Sequence, residues 1–104
     1  MRKFGHKFHA VQRILDGIKF PSKREAARYE RLKGLQTAGQ VLFFLRQVPF
    51  HLDSDPPTKY VADFVVFWSD GTCTIEDAKG MKTDVYILKR KLVEFKYPIT
   101  ITEV

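Results

Sequence analysis

The chain has 104 residues, 44% of them hydrophobic and 13% aromatic, enough for one domain around a core and unlike a disordered composition. Lys and Arg number 18 against 12 Asp and Glu, and the formal net charge of +6 favours polyanionic partners such as nucleic acid or an anionic membrane. A single cysteine, Cys73, excludes an intramolecular disulfide and a multi-cysteine zinc site, and no apolar run is long enough to span a bilayer.

Residues 1–10 are basic, aromatic-spiked and aperiodic, and are expected to form an arm ahead of a core over residues 11–104. No signal-peptide core follows the start, so a soluble protein of a reducing cytoplasm is expected. Val11–Ile14 and Ile18–Phe20 flank Asp16-Gly17, a dipeptide that accepts the positive φ of a tight hairpin turn. Ser22 opens a helix over Lys23–Thr37, with Glu25 placed to complete a capping box. Ala26, Tyr29, Leu32 and Leu35 give that helix an apolar stripe, and Gly39 ends it.

Val41–Leu45 is a buried-strand run that continues through Val48 and Phe50, with Pro49 marking its approach to an edge. After a Pro56-Pro57 loop, Tyr60–Trp68 is the strongest strand pattern in the chain. A Ser69-Asp70-Gly71 turn leads to a strand over Thr72–Ala78, in which Cys73 is expected as a small buried thiol. A second helix begins at Thr83 or Asp84 with Val85, Leu88, Leu92 and Phe95 on one face; Pro98 stops it, and Ile99–Thr102 forms a last strand. This order predicts a single-domain α/β fold with a mixed sheet flanked by helices.

Two features are costly for an ordinary sheet. Asp63 interrupts an apolar strand, and an unpaired carboxylate near a core is expensive. Asp77 and Lys79 sit two residues apart at the end of the next strand and project to one face. If the two strands pair as a hairpin, Asp63 and Asp77 converge and require a cation between them, and carboxylates with water suit Mg²⁺. Lys79 would then orient a water or stabilise charge on a scissile phosphate. The plain alternative is an Asp–Lys ion pair at a strand end, with Asp63 capped by backbone.

These residues resemble the PD-(D/E)XK nuclease superfamily: Ala62-Asp63 stands for its Pro-Asp element, without the Pro, and Asp77-Ala78-Lys79 for its acidic-x-Lys element. Phe20–Tyr29 and Glu76–Gly80 look like small phage-encoded nucleases, similar in size and layout to archaeal-type Holliday junction resolvases. The resemblance implies a restriction-endonuclease-like αβββαβ core, Glu25 as a third metal-site carboxylate, Mg²⁺ with Mn²⁺ able to replace it, and a homodimer cutting branched DNA. A nuclease with little structural selectivity is the nearest alternative, and a non-catalytic DNA-binding module with the same fold is the other.

Glu25 has a competing role in the capping box, and Glu76 should project to the face opposite Asp77. Arg46 and Gln47 end the first core strand, within reach of substrate or merely in solvent. Arg2, Lys3, Lys7, Arg13, Lys23, Arg24 and Arg28 are expected to contact the DNA backbone independently of sequence, and Lys89 to face the phosphates near Lys79. His6 and His9 have no partner at metal-ligand spacing. Phe4 and Phe8 suit either a dimer seam or stacking on an unpaired base.

Overall fold

The computed structural model describes residues 13–104, and the expected arm over residues 1–10 lies outside them. A hairpin comes first: β1 (Arg13–Leu15) pairs antiparallel with β2 (Ile18–Phe20). Asp16 and Gly17 at its tip have φ of 52° and 76°, as the two central residues of a tight hairpin turn require. The Asp16 carboxylate accepts a 2.6 Å hydrogen bond from the Tyr29 hydroxyl, which ties the turn to the first helix.

That helix, α1, spans Lys23–Thr37 as its periodicity predicts. The Ser22 hydroxyl accepts from the Glu25 amide at 3.2 Å, satisfying one of the free N–H groups of the first turn. Ala26, Tyr29, Leu32 and Leu35 bury their stripe against Phe20, Val41, Phe64 and Val66, forming the first of two cores. Burial of each large side chain there contributes about 1.5–3 kcal/mol.

Four strands make the main sheet, in the order β3 (Val41–Leu52), β4 (Thr58–Trp68), β5 (Cys73–Asp77), β6 (Ile101–Glu103). The first three run antiparallel, and β6 returns parallel to β5 after helix α2 (Asp84–Lys96). The sheet is therefore mixed and flanked by two helices. β3 carries on through Pro49 to Leu52 because it is an edge strand, where a missing N–H costs no ladder bond on the open side. Among the described residues no helix is long and apolar enough to cross a membrane.

The structure fixes the packing face of α2 and corrects one expectation, the burial of Cys73. The face of α2 that packs on the sheet carries Tyr86 and Val93, which join Leu52, Tyr60, Ala62, Val65, Ile75 and Ile101 in the second core. Val85, Leu88, Leu92 and Phe95 instead face outward, with Phe95 92% exposed. The stripe has helical period but the wrong phase for the sheet. Cys73 is also exposed: it opens β5 directly after the turn, beyond the cover of α2.

An inversion in the sheet positions the site. In a regular strand alternate residues share a face. Phe64 and Val66 belong to the first core, yet Tyr60 and Ala62, of the same parity, belong to the second. On the neighbouring strand Phe44 packs with the first core and Val48 and Phe50 with the second. The alternation inverts in both strands at Gln47 and Asp63, where the ladder skips a pair between Arg46–Phe64 and Val48–Ala62. Gln47 absorbs the change with φ of 53°, a left-handed conformation that a non-glycine residue adopts only at a cost of about 1–2 kcal/mol.

Candidate active site

Asp63 lies one residue beyond the last β4–β5 pair, Phe64–Glu76, and in the same register it faces Asp77. The ordinary ladder stops there, and side chains take over its hydrogen bonds. The Asp63 amide donates to Asp77 Oδ1 at 3.3 Å, and the Ala78 amide donates to Asp63 Oδ2 at 2.9 Å. Each carboxylate thus accepts from the other strand's backbone, and the two acids expected to converge do so.

Asp77 is fully buried, and its Oδ2 has no hydrogen-bond partner. Burial pushes its pKa up to about 6, against the counteracting charge of Lys79. Lys79 Nζ stands 3.8 Å from Asp77 Oδ1 and 5.4 Å from the centre of the Tyr86 ring. That separation is too long for a tight hydrogen bond and leaves the ammonium protons free for another acceptor. The Tyr86 hydroxyl donates to Glu103 at 3.1 Å, and its pKa is raised by burial and by the charge of Asp77.

Glu25 engages its backbone and its carboxylate in different places. Its backbone amide serves the cap, whereas its carboxylate turns inward, 4% exposed as a residue, and accepts from Arg46 Nη2 at 3.2 Å and Gln47 Nε2 at 3.0 Å. Burial and the negative charge of Asp63 raise its pKa, while Arg46 and Gln47 act in the opposite direction. Gln47 Nε2 also lies 3.4 Å from Asp63 Oδ1, so one amide group spans both acids. Arg46 and Gln47 therefore sit in mid-strand beside the carboxylates rather than at a solvated strand end. The Arg46 guanidinium stacks 4.5 Å from the centre of the Phe20 ring.

Among the described residues no three His, Cys, Asp or Glu side chains are gathered closely enough to form a ready cation cage. A small hard cation needs less than that, since Mg²⁺ is commonly held by one or two carboxylates with several waters. Asp63 and Asp77 offer that donor set, and Asp77 Oδ2 is a buried acceptor without a hydrogen-bond partner, its carboxylate only partly balanced by Lys79 at 3.8 Å from Oδ1. Glu25 is linked to them through Gln47.

Other expected residues have different surroundings. Glu76 is buried on the opposite face, as predicted, where Arg28 clasps it with two bonds of 2.8 and 2.7 Å and the Thr74 hydroxyl adds a third at 3.0 Å. Arg28 is thus occupied within the fold. Arg24 Nε donates to the Val104 carbonyl at 2.9 Å, and with Lys23 it lines a shallow surface beside α1. Lys89 lines a cleft of about 340 Å³ that also contains Lys79, Lys59, Tyr60, Thr83 and Tyr86. Arg2, Lys3, Lys7, His6, His9, Phe4, Phe8 and the Arg13 side chain lie outside the described residues.

Sequence reading missed Lys59, which lies outside every motif, and the bridging position of Gln47. Only the inversion of the sheet brings Gln47 to Glu25. A family model described as a protein of unknown function, DUF1064, matches residues 5–103. The chain belongs to the DUF1064 family. The match spans Glu25, Asp63, Asp77 and Lys79 together. No curated protein and no solved structure matches this DUF1064 chain.

Proposed function

We propose that this DUF1064 protein is a metal-dependent endonuclease that hydrolyses phosphodiester bonds in DNA, with a restriction-endonuclease-like core. One observation carries the reading: Asp63 and Asp77 meet at the end of the β4–β5 hairpin, with Asp77 Oδ2 unpartnered and Lys79 alongside. A structural ion pair would close more tightly and would not leave a buried carboxylate oxygen orphaned.

Asp63 and Asp77 would hold Mg²⁺, or Mn²⁺ in its place, with Glu25 as the third acid. The bound cation would supply Lewis acidity toward the phosphate and lower the pKa of an attacking water. Lys79, fixed at one side by Asp77, would donate to a non-bridging phosphate oxygen as negative charge grows there. Gln47 and Arg46 would hold Glu25 in place and limit its repulsion with Asp63. Lys89 would contact a neighbouring phosphate from across the cleft. Water's oxygen releases a proton to solvent as it bonds to phosphorus, the ester P–O bond breaks, and the departing oxygen takes up a proton.

The finer reading is a phage-type Holliday junction resolvase acting as a homodimer in the cytoplasm of the host cell. The exposed stripe Val85, Leu88, Leu92 and Phe95 supports the dimer, because its three-four-three spacing is the one used by paired helices. Four-way junctions and linear duplex of the same sequence, incubated with Mg²⁺ or with EDTA, test both levels. Symmetric cuts at the junction support a resolvase, whereas equal cutting of both substrates leaves an unselective nuclease. No product on branched, nicked or single-stranded DNA with either cation returns the protein to a DNA-binding module.

A further inference from the structure

The cleft beside Lys79 does not end at Lys89. A second groove of about 430 Å³, lined by His51, Thr58, Lys59, Val61 and Lys89, shares Lys59, Val61 and Lys89 with the first. The two form one continuous trench that starts at Lys79, passes between Lys59 on β4 and Lys89 on α2, and reaches His51 on β3. No Asp or Glu lines either part, although the chain contains 12 of them. Among the described residues neither Lys59 nor Lys89 is engaged in an ion pair, while Lys33, Lys82 and Lys96 each have a carboxylate partner.

An uncompensated row of cations in a concave path concentrates anions far better than the same charges scattered on a convex surface. The wall near Lys79 also carries apolar surface, chiefly the exposed Met81, with Tyr60 and Tyr86 buried behind it. Lysines tracking a groove beside apolar side chains suit a single nucleic-acid strand, its phosphates on the lysines and its bases against the apolar wall. A bare inorganic anion would not need such a length.

We propose that this trench carries one strand of the nucleic-acid backbone away from the scissile phosphate, with Lys59 and Lys89 each binding one phosphate beyond the one at Lys79. The proposal rests on the nuclease reading and adds to it the path of the strand and Lys59 as a substrate-binding residue. Double replacement Lys59→Ala and Lys89→Ala should remove two phosphate contacts. Lys19→Ala with Lys91→Ala, on exposed surface outside the trench, removes the same formal charge and serves as the control.

The test is fluorescence anisotropy of a labelled single strand of about 20 nucleotides, titrated with full-length protein in EDTA across a salt series. Loss of two contacts should flatten the slope of log K against log salt by about 1.4, and the control should keep the wild-type slope. Thermal unfolding of all three proteins checks that the fold is intact. Equal slopes for the trench variant and wild type overturn the trench while leaving the nuclease reading standing, as does an equal flattening in the control. No binding of the single strand by wild type also overturns the trench, and cleavage by wild type in the Mg²⁺ assay then isolates the failure to the trench, whereas no cleavage on any DNA overturns the nuclease reading.

Discussion

Asp63 and Asp77 hold each other in place through backbone amides: Asp63 donates its N–H to Asp77, and the residue after Asp77 donates its N–H to Asp63. The arrangement positions two buried acids without neutralising them. That is expensive in the metal-free protein, and the cost is visible in the raised pKa of Asp77.

Asp77→Asn should therefore stabilise the metal-free protein while removing its activity. Its folded pKa of about 6 lies above the unfolded value of 3.8, so above pH 6 the folded state bears a charge it disfavours. The neutral amide relieves on the order of 1–3 kcal/mol of that penalty at pH 8. Urea unfolding in EDTA checks this; a loss of stability in Asp77→Asn would show that the carboxylate is a structural asset.

The same shift sets a pH dependence. Between the unfolded and folded pKa values the folded state binds more protons, so the Asp77 contribution rises as pH falls from 7 to 5. Glu25, also raised, acts in the same direction. Metal-free wild type should gain stability over that window relative to Asp77→Asn, and parallel pH profiles for the two proteins would contradict it.

Gln47→Gly should separate strain from function. Glycine removes the left-handed strain at φ of 53° but also removes the amide that spans Glu25 and Asp63. These effects offset to within about 1 kcal/mol in stability. Apparent metal affinity in the cleavage assay should fall about 10- to 100-fold, as for other outer partners of a metal site. Full activity in this variant would remove Gln47 from the site.

Arg28 should behave as a residue of the fold. It makes a two-point ion pair with buried Glu76, and Arg28→Met strands that carboxylate with Thr74 alone. The expected loss is about 3 kcal/mol by urea unfolding, against less than about 0.5 kcal/mol for Arg24→Ala on the exposed surface.

Much of this was legible in the sequence because local rules and tertiary structure agree. Ser22, the stripe through Leu35 and Gly39 define α1, and the Asp16-Gly17 turn defines the hairpin. Asp63 was readable because it breaks an apolar strand, Asp77 because Lys79 follows it two residues on, and the turn between the strands fixes their register. The packing face of α2 was not readable. Its stripe at Val85, Leu88, Leu92 and Phe95 and its buried pair Tyr86 and Val93 are both spaced for a helix, and only the sheet's position selects between them. Gln47 carries no sequence signal for positive φ, so the inversion that brings it and Arg46 to Glu25 appears only in three dimensions. Cys73 is exposed despite its strand position, because strand membership does not specify distance from the core.

The most direct test is the paired cleavage assay of wild type and Asp77→Asn on four-way junction, nicked and single-stranded DNA with Mg²⁺. Wild type should cut in a reaction that EDTA stops, and Asp77→Asn should bind the same DNA without cutting it. Undiminished, EDTA-sensitive cleavage by Asp77→Asn would contradict the assignment of the active site.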